Sequence, residues 1–310
     1  MKILVTCPPM LNHINEFNHI FNAYNLEGIA AQVKQVMTED KLIEIIPKYD
    51  GWIIGDDPAT EKVFKAGKKG NLKAAVKWGV GVDNVDFNAC KELNIPIVNT
   101  PGVFGREVAD VATAYLLALA RETHFIDRKI RLNNEWPKPS GVSLWNKKVG
   151  VVGFGDIGKA TAKRLLASEL KVIAYDPFYK KNGSDLVDLS VWPDRLNELD
   201  FIVFTCPLTT ATQHMFNDDI LSLLKPGVRV INVSRGSIIN ESSLIKGLDR
   251  GIVHSAALDV FEREPLPIYS KLRAYERCIF GSHNGSNTID AVRYVSKLSI
   301  EIIANFLNQK

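Results

Sequence analysis

The stretch Lys148–Gly158, KVGVVGFGDIG, decides the fold of this chain. An apolar strand, Lys148–Val152, runs directly into a G-x-G-x-x-G turn, and helix-spaced apolar residues follow it. In this context Gly153 permits a tight turn, Gly155 lets a pyrophosphate approach the backbone, and Gly158 lets helix and strand pack closely. The stretch therefore predicts a dinucleotide site. A glycine-rich turn without a ligand is the alternative that the motif alone leaves open.

The next strand carries a second signal for a dinucleotide. Lys171–Tyr175 ends at Asp176, eighteen residues after Gly158. A carboxylate at this place accepts hydrogen bonds from the adenosine ribose hydroxyls and repels a 2′-phosphate, so it predicts NAD rather than NADP. The alternative for Asp176 is a turn residue before Pro177.

Short apolar runs alternate with helix-period segments on both sides of this motif. Strands are predicted at Lys2–Thr6, Gly51–Ile54, Leu72–Val76, Ile95–Val98, Val149–Gly153, Lys171–Tyr175, Phe201–Thr205, Arg229–Val233, Ala256–Val260 and Cys278–Gly281. This alternation indicates parallel sheets with crossover helices. We expect an α/β protein with two doubly wound parallel-sheet domains, in which a Rossmann NAD-binding domain (residues 102–283) is inserted into a flavodoxin-like substrate domain (residues 1–101 and 284–310).

The segments between these strands predict how the two domains are joined. Val108–Arg131 is dense in Ala and Leu and predicts one long helix, and Asn133–Asn146, with its prolines, predicts a loop. The apolar spacing of Thr288–Leu307 predicts a last helix that crosses back to the first domain.

Composition excludes several classes of function. The 310 residues are 46% apolar and 24% charged with a net charge of +3, too small an excess to predict binding to nucleic acid or a membrane surface. The four cysteines show no metal-ligand spacing, so we expect reduced thiols and no metal. The N-terminus is too short in apolar length for a signal peptide, and we expect a cytoplasmic protein.

Charged residues follow three of the later strands. Arg235 comes after one strand, Asp259 and Glu264 after the next, and His283 after the last. The carboxyl ends of strands line the ligand crevice in an open α/β sheet, and an Arg there can grip a carboxylate with two parallel hydrogen bonds. The alternatives are a surface salt bridge for Arg235, an acidic surface loop for the carboxylates, and a structural hydrogen bond for His283.

The order and content of these motifs resemble the D-2-hydroxyacid dehydrogenase family over nearly the whole chain. The resemblance rests on the fingerprint and the three charged segments, together with Trp78–Asn84, Asn99–Gly102, Cys206–Thr209 with Thr212, and Lys225–Gly227. Within the family the chain looks most like the phosphoglycerate dehydrogenases, mainly through Gly79–Asp86.

The resemblance implies a site residue by residue. Arg235 would hold the substrate carboxylate and carbonyl oxygen, His283 would be the acid or base, and Glu264 would pair with it. A carboxylate beside an imidazole favours its protonated form, and a protonated His283 can donate to the carbonyl oxygen. Backbone N–H groups of Val80 and Gly81 would bind the substrate carboxylate. The residues implied to contact the cofactor are Gly153, Gly155, Asp156, Ile157, Gly158, Asp176, Pro207, Thr212, Ser234, Asp259 and Gly285.

The resemblance also implies the reaction, NAD-linked interconversion of a small D-2-hydroxy acid and its 2-oxo acid. 3-Phosphoglycerate and 3-phosphohydroxypyruvate are the expected pair, with glyoxylate or hydroxypyruvate reduction, or a non-catalytic NAD-sensing role, as alternatives. Phe104-Gly105-Arg106 and Asn284 depart from the usual family pattern, and the first of these puts the substrate in question. A homodimer is expected, with Val108–Arg131 and Asn133–Asn146 as candidate contacts.

Overall fold

The computed structural model describes residues 1–180 and 186–308. The chain divides into two compact units, the first formed by Met1–Phe104 with Asn287–Lys310 and the second by Gly105–Ser286. Within the described residues, every helix is too short or too polar to cross a lipid bilayer.

The described part of the chain contains twelve strands and eleven α-helices. The strands are β1 (Lys2–Val5), β2 (Glu27–Ala30), β3 (Gly51–Ile54), β4 (Ala74–Lys77), β5 (Ile97–Asn99), β6 (Lys148–Val152), β7 (Lys171–Tyr175), β8 (Asp188–Ser190), β9 (Phe201–Phe204), β10 (Val228–Asn232), β11 (Val253–Leu258) and β12 (Ile279–Phe280). The helices are α1 (Pro8–Leu11), α2 (Asn18–Ala23), α3 (Glu39–Ile45), α4 (Glu61–Lys69), α5 (Phe87–Glu92), α6 (Gly105–Arg121), α7 (Thr123–Asn133), α8 (Asp156–Ala167), α9 (Asp218–Leu221), α10 (Glu241–Asp249) and α11 (Ile289–Asn308). Short 3-10 turns lie at Ile14–Phe17, Ile46–Lys48, Leu196–Glu198, Gly236–Ile238 and Lys271–Ala274.

The first unit is built on a parallel sheet in the order β2-β1-β3-β4-β5, which is the flavodoxin-like order. Its central strands are buried on both faces because helices cover both sides. The C-terminal helix α11 packs on β3 and β4, and Trp78 Nε1 donates a hydrogen bond to Ser296 Oγ at 3.2 Å. Helix α11 therefore completes the core of the first unit.

The second unit is built on a seven-stranded parallel sheet in the order β12-β11-β10-β9-β6-β7-β8. Counted from β6, this is the doubly wound order 3-2-1-4-5-6 with a seventh strand added at one edge. Strands β9 and β10 are completely buried, as expected between two helical layers. The predicted fold class, a Rossmann domain together with a flavodoxin-like domain, is confirmed.

The predicted strands are all present, with ends that shift by a few residues. Two strands were not predicted, β2 and β8. Both lie at the edges of their sheets and leave much of their surface exposed, so neither carries a continuous apolar run. An edge strand buries one side at most, and its sequence signal is correspondingly weak.

The prediction of one helix over Val108–Arg131 is wrong. Glu122 adopts a left-handed conformation, with φ 52° and ψ 28°, and separates α6 from α7. Its carboxylate is buried and accepts a hydrogen bond from Arg277 Nε at 3.0 Å. Helix propensity favours continuation through Glu122, but the partner that holds its side chain is distant in sequence, so the Ala-rich and Leu-rich pattern carries no sign of the break.

Candidate active site

Six strand ends of the second unit lie in one row of the sheet. The paired residues are Tyr175, Val152, Phe204, Asn232, Leu258 and Phe280, taken across the sheet from β7 to β12. Every site residue predicted in this unit lies from one to eight positions beyond a member of this row. Parallel strands are about 4.8 Å apart, so one edge of the sheet gathers groups that are distant in sequence.

The glycine motif sits where the strand order reverses, between β6 and β9. Gly153 has a φ of +89°, and a Cβ there would lie 2.5 Å from the backbone of Cys206. Gly158 lies against the Gly153 carbonyl and leaves no room for a side chain. Gly155 is different, because among the described residues no atom other than those of its chain neighbours lies within 4 Å of the place where its Cβ would be. The space over Gly155 is thus open to a ligand.

Helix α8 begins beside this open space. Its first turn contains Asp156, exposed, and Ile157, half-buried. The first N–H groups of a helix have no acceptor within the helix and carry a partial positive charge, which suits a pyrophosphate. The residues present therefore fit a dinucleotide.

Asp176 binds the glycine loop and also shapes its own turn. Its Oδ2 accepts a hydrogen bond from Phe154 N at 2.7 Å, and its Oδ1 accepts from Phe178 N at 2.8 Å and Tyr179 N at 3.2 Å. A carboxylate offers about four acceptor positions. Asp176 can therefore hold its own turn and still accept hydrogen bonds from a ribose.

The segment after β9, Thr205–Met215, packs against the glycine loop and is called the β9 loop below. Thr205 Oγ1 donates to the Gly153 carbonyl at 2.7 Å, a contact that sequence reasoning missed. Thr212 Oγ1 donates to the Pro207 carbonyl at 2.7 Å and accepts from Thr209 N at 2.8 Å. Thr212 therefore holds the loop together, and its role toward the cofactor stays a prediction.

Arg235 is presented by a loop that the buried side chain of Asn232 organises. Asn232 Oδ1 accepts from Ser234 N and Ser234 Oγ, both at 3.0 Å, and its Nδ2 donates to the Arg235 carbonyl at 2.9 Å. Arg235 itself is half-buried, and Nη1 donates to the Ser234 carbonyl at 2.8 Å. Asn232 was not predicted because it lies inside the strand, where its side chain looks like one more core position.

The carboxylate of Asp259, 2% exposed, holds the turn that carries His283. Gly285 N donates to Oδ2 at 2.8 Å and Asn284 N to Oδ1 at 3.2 Å, while His283 N donates to the Asp259 carbonyl at 2.7 Å. From α6, the Tyr115 hydroxyl donates to Oδ1 at 3.4 Å. Burial, with the nearby Asp259 charge, raises the pKa of Tyr115.

His283 and Glu264 form a hydrogen-bonded pair. Nδ1 of His283 lies 2.8 Å from Glu264 Oε2, and Glu264 Oε1 accepts from Phe261 N at 2.9 Å. His283 has a φ of +56°, an unfavourable conformation that the bonds to Asp259 help to hold. Because Nδ1 faces the carboxylate, Nε2 is the nitrogen that would exchange a proton with a substrate.

The two residues predicted in the first unit lie in the loop after β4. Gly79, with a φ of +117°, donates its N–H to Thr100 Oγ1 at 2.8 Å, and Asn99 Nδ2 donates to the Val80 carbonyl at 3.0 Å. These bonds leave the backbone of Val80 and Gly81 at the carboxyl edge of the first sheet. Their part in substrate binding stays a prediction.

The comparisons with known proteins agree with this geometry. Residues 113–285 match the family model described as D-isomer specific 2-hydroxyacid dehydrogenase, NAD binding domain. The chain is 36% identical over 280 residues to hydroxypyruvate reductase from Thermotoga maritima, with 88% of this chain and 89% of the relative covered. It is 35% identical over 300 residues to D-3-phosphoglycerate dehydrogenase 2, chloroplastic, from Arabidopsis thaliana, with 96% of this chain and 46% of the relative covered.

The chain thus spans about half the length of that second relative. Among solved structures, the NAD complex of the NAD-dependent formate dehydrogenase from Staphylococcus aureus superimposes with a TM-score of 0.86 at 26% identity, covering 99% of this chain and 96% of that one. The matched family model and the open glycine loop agree on NAD as the cofactor. This chain belongs to the D-isomer-specific 2-hydroxyacid dehydrogenase family.

Proposed function

We propose that the chain reduces a small, unphosphorylated 2-oxo acid to the D-2-hydroxy acid, with Arg235, Glu264 and His283 as the catalytic set. The observation that supports this most is the 2.8 Å pair between His283 Nδ1 and Glu264 Oε2. Arg235, Glu264 and His283 follow the adjacent strands β10, β11 and β12, so all three lie at the same edge of the sheet.

Each member of the set has a separate task. NADH, when bound, would supply the hydride, and the carbonyl oxygen of the substrate would gain negative charge as the hydride arrives. His283, protonated and held by Glu264, donates a proton from Nε2 to that oxygen. Arg235 binds the substrate carboxylate and stabilises the developing charge. In the oxidative direction neutral His283 accepts the hydroxyl proton.

The substrate class is inferred from the charges at the carboxyl edge of the first unit. Lys77, the last residue of β4, has a buried ammonium group that donates to the Gly55 carbonyl at 2.5 Å and to Asp56 Oδ1 at 3.0 Å. Asp57 and Asp83 add further carboxylates to the loops at this edge. If Val80 and Gly81 bind the substrate carboxylate, a 3-phosphate would lie near acidic groups, with Lys77 already paired.

These charges favour hydroxypyruvate or glyoxylate over 3-phosphohydroxypyruvate, the substrate expected from the resemblance. Relatives of comparable identity carry both kinds of name, hydroxypyruvate reductase and D-3-phosphoglycerate dehydrogenase. The names of the relatives therefore do not distinguish an unphosphorylated substrate from a phosphorylated one. The local charge is the observation that favours the unphosphorylated acid.

A steady-state panel tests the proposal. NADH oxidation is measured with hydroxypyruvate, glyoxylate, pyruvate and 3-phosphohydroxypyruvate, each also with NADPH. We expect the highest kcat/KM with an unphosphorylated acid and NADH, since the Asp176 carboxylate repels a 2′-phosphate. A preference for 3-phosphohydroxypyruvate would contradict the substrate proposal. Tight NADH binding without turnover on any acid would instead favour a cofactor-sensing protein.

We also propose a homodimer, formed through α7 and the segment that follows it. Each residue of α7 keeps part of its surface exposed, and Leu132, Trp136 and Trp145 are 79%, 78% and 66% exposed. Large apolar side chains that are this exposed, and close together in the sequence, are typical of a contact site. Light scattering on the intact chain and on Trp136→Ser tests this, with a monomer expected for the variant.

A further inference from the structure

Another histidine–glutamate pair lies close to the candidate site, on the loops that follow β9 and β11. Nε2 of His214 lies 2.7 Å from Glu262 Oε1, with the two side chains 39% and 32% exposed. His214 belongs to the β9 loop, and Glu262 lies two residues before Glu264. A side-chain pair this exposed adds little to folding stability. The segments that the His214–Glu262 pair connects are therefore more informative than its contribution to stability.

The segment around Glu262 is held from three sides. Its backbone N–H donates to Glu241 Oε1, at the start of α10, at 2.9 Å. Gly236, directly after Arg235, packs so closely on the Phe261–Glu262 peptide that no side chain would fit there. The third restraint is the side-chain pair with His214. Glu262 therefore joins the loops after β9, β10 and β11.

The same segment positions the acid–base pair. Phe261 N donates to Glu264 Oε1, and Glu264 Oε2 pairs with His283. A movement of Phe261 and Glu262 would change where the Glu264 carboxylate lies. On the other side, the β9 loop contacts the glycine loop through Thr205.

We propose that His214 and Glu262 are positioning residues that couple the β9 loop, and through it the bound dinucleotide, to the Glu264–His283 pair. This inference rests on the proposed function, because it assigns the β9 loop to the cofactor and Glu264–His283 to proton transfer. The consequence is that cofactor binding orders the Glu264–His283 pair. Loss of His214 or of Glu262 should therefore weaken both cofactor binding and the ordering of Glu264–His283.

Glu262→Gln and His214→Asn test the coupling, because Gln keeps the shape of Glu and Asn tolerates the left-handed φ of 50° at His214. We expect each variant to raise the Kd for NADH about fivefold and to lower kcat by a similar factor, with Tm unchanged. The double variant should equal either single variant, since both remove one interaction. His13→Asn is the matched control, because His13 pairs with Glu16 at 3.0 Å in the first unit.

Amide hydrogen exchange gives a readout that needs no turnover. In the wild-type chain, NADH should slow exchange of the peptide covering residues 259–264, and in Glu262→Gln this protection should be lost. Unchanged protection and an unchanged Kd in the variants, or fully additive effects, would overturn the coupling. If the wild-type chain reduces no 2-oxo acid, the proposed function fails, while NADH binding and exchange still decide the coupling.

Discussion

The two units have the same architecture but different chemistry at the point where the strand order reverses. In the second unit, Gly153 approaches Cys206 across this point, and Gly155 leaves open space before the twelve-residue helix α8. In the first unit, Gly55 also approaches Cys7 closely, with a Cβ there placed 2.9 Å from Cys7 Cα. There, however, β1 runs into Cys7-Pro8-Pro9 and a four-residue helix.

The comparison shows that topology alone does not make a dinucleotide site. Both sheets offer a crevice at the reversal, as doubly wound sheets do. Cys7 is buried in the first unit, and two prolines follow it where the second unit has the glycine turn. The residues of the first turn decide which crevice accepts the cofactor.

The largest expected effect concerns the Glu264–His283 pair, which we assign to the second unit alone. His283→Ala should lower kcat by about 10³, because general acid catalysis is lost. His283→Asn should do the same while tolerating the left-handed backbone. The Kd for NADH, measured by fluorescence titration, should stay within about twofold in both. Turnover close to wild type in either variant would show that another group transfers the proton.

The second prediction compares Gly155, which has open space beside it, with Gly55, which approaches Cys7 closely. Gly155→Ala should raise the Kd for NADH by about tenfold or more without lowering Tm, because the added methyl group meets only the space meant for the pyrophosphate. Gly55→Ala should lower Tm and leave NADH binding unchanged, since its methyl group would meet Cys7. The same response from both variants, in binding and in Tm, would refute the distinction between the crevices.

The third prediction concerns the acidic edge of the first unit. Asp56→Ala releases the Lys77 ammonium from one carboxylate and removes a negative charge. We expect kcat/KM for 3-phosphohydroxypyruvate, relative to hydroxypyruvate, to rise about fivefold. Glu44→Ala, which breaks an exposed lysine pair on α3, is the control and should leave this ratio unchanged. A constant ratio in Asp56→Ala would remove Asp56 from substrate selection.

The smallest expected effect is a difference in Tm between variants of two buried aspartates, Asp57 and Asp259. Burial raises the pKa of Asp57 in the first unit, so the folded state holds this proton more tightly than the unfolded chain does. Folding stability therefore falls as the pH rises through the interval between the two pKa values. Asp57→Asn removes this loss and should raise Tm at pH 7 by about 2 °C, a gain that disappears below about pH 4.

Asp259 in the second unit provides the contrast. Both of its carboxylate oxygens accept backbone N–H groups, so Asp259→Asn should lower Tm. Thermal melts of the two variants between pH 3 and pH 8 check both statements. A lower Tm for Asp57→Asn at pH 7 would mean that the charged carboxylate stabilises the first unit.

Much of the candidate site was predictable because its residues follow strands. Arg235, Asp259 and His283 each come after an apolar run, and parallel strands bring such positions to one edge. Asn232 and Thr205 were missed, since one lies within its strand and the other directly follows it, where neither differs from a structural polar residue. The pair between His214 and Glu262 joins two loops, and no spacing in the sequence indicates it.

The sequence by itself determined the alternation of strands and helices, the dinucleotide loop and the types of charged residue at the strand ends. These features depend on local backbone preferences and on hydrophobic periodicity, which neighbouring residues set together. Only the tertiary structure decided that the helix breaks at Glu122 and that Glu264 faces His283 Nδ1. It also decided that Lys77 is paired with Asp56. Each of these depends on partners from distant segments, and their direction and distance exist only once the chain is packed.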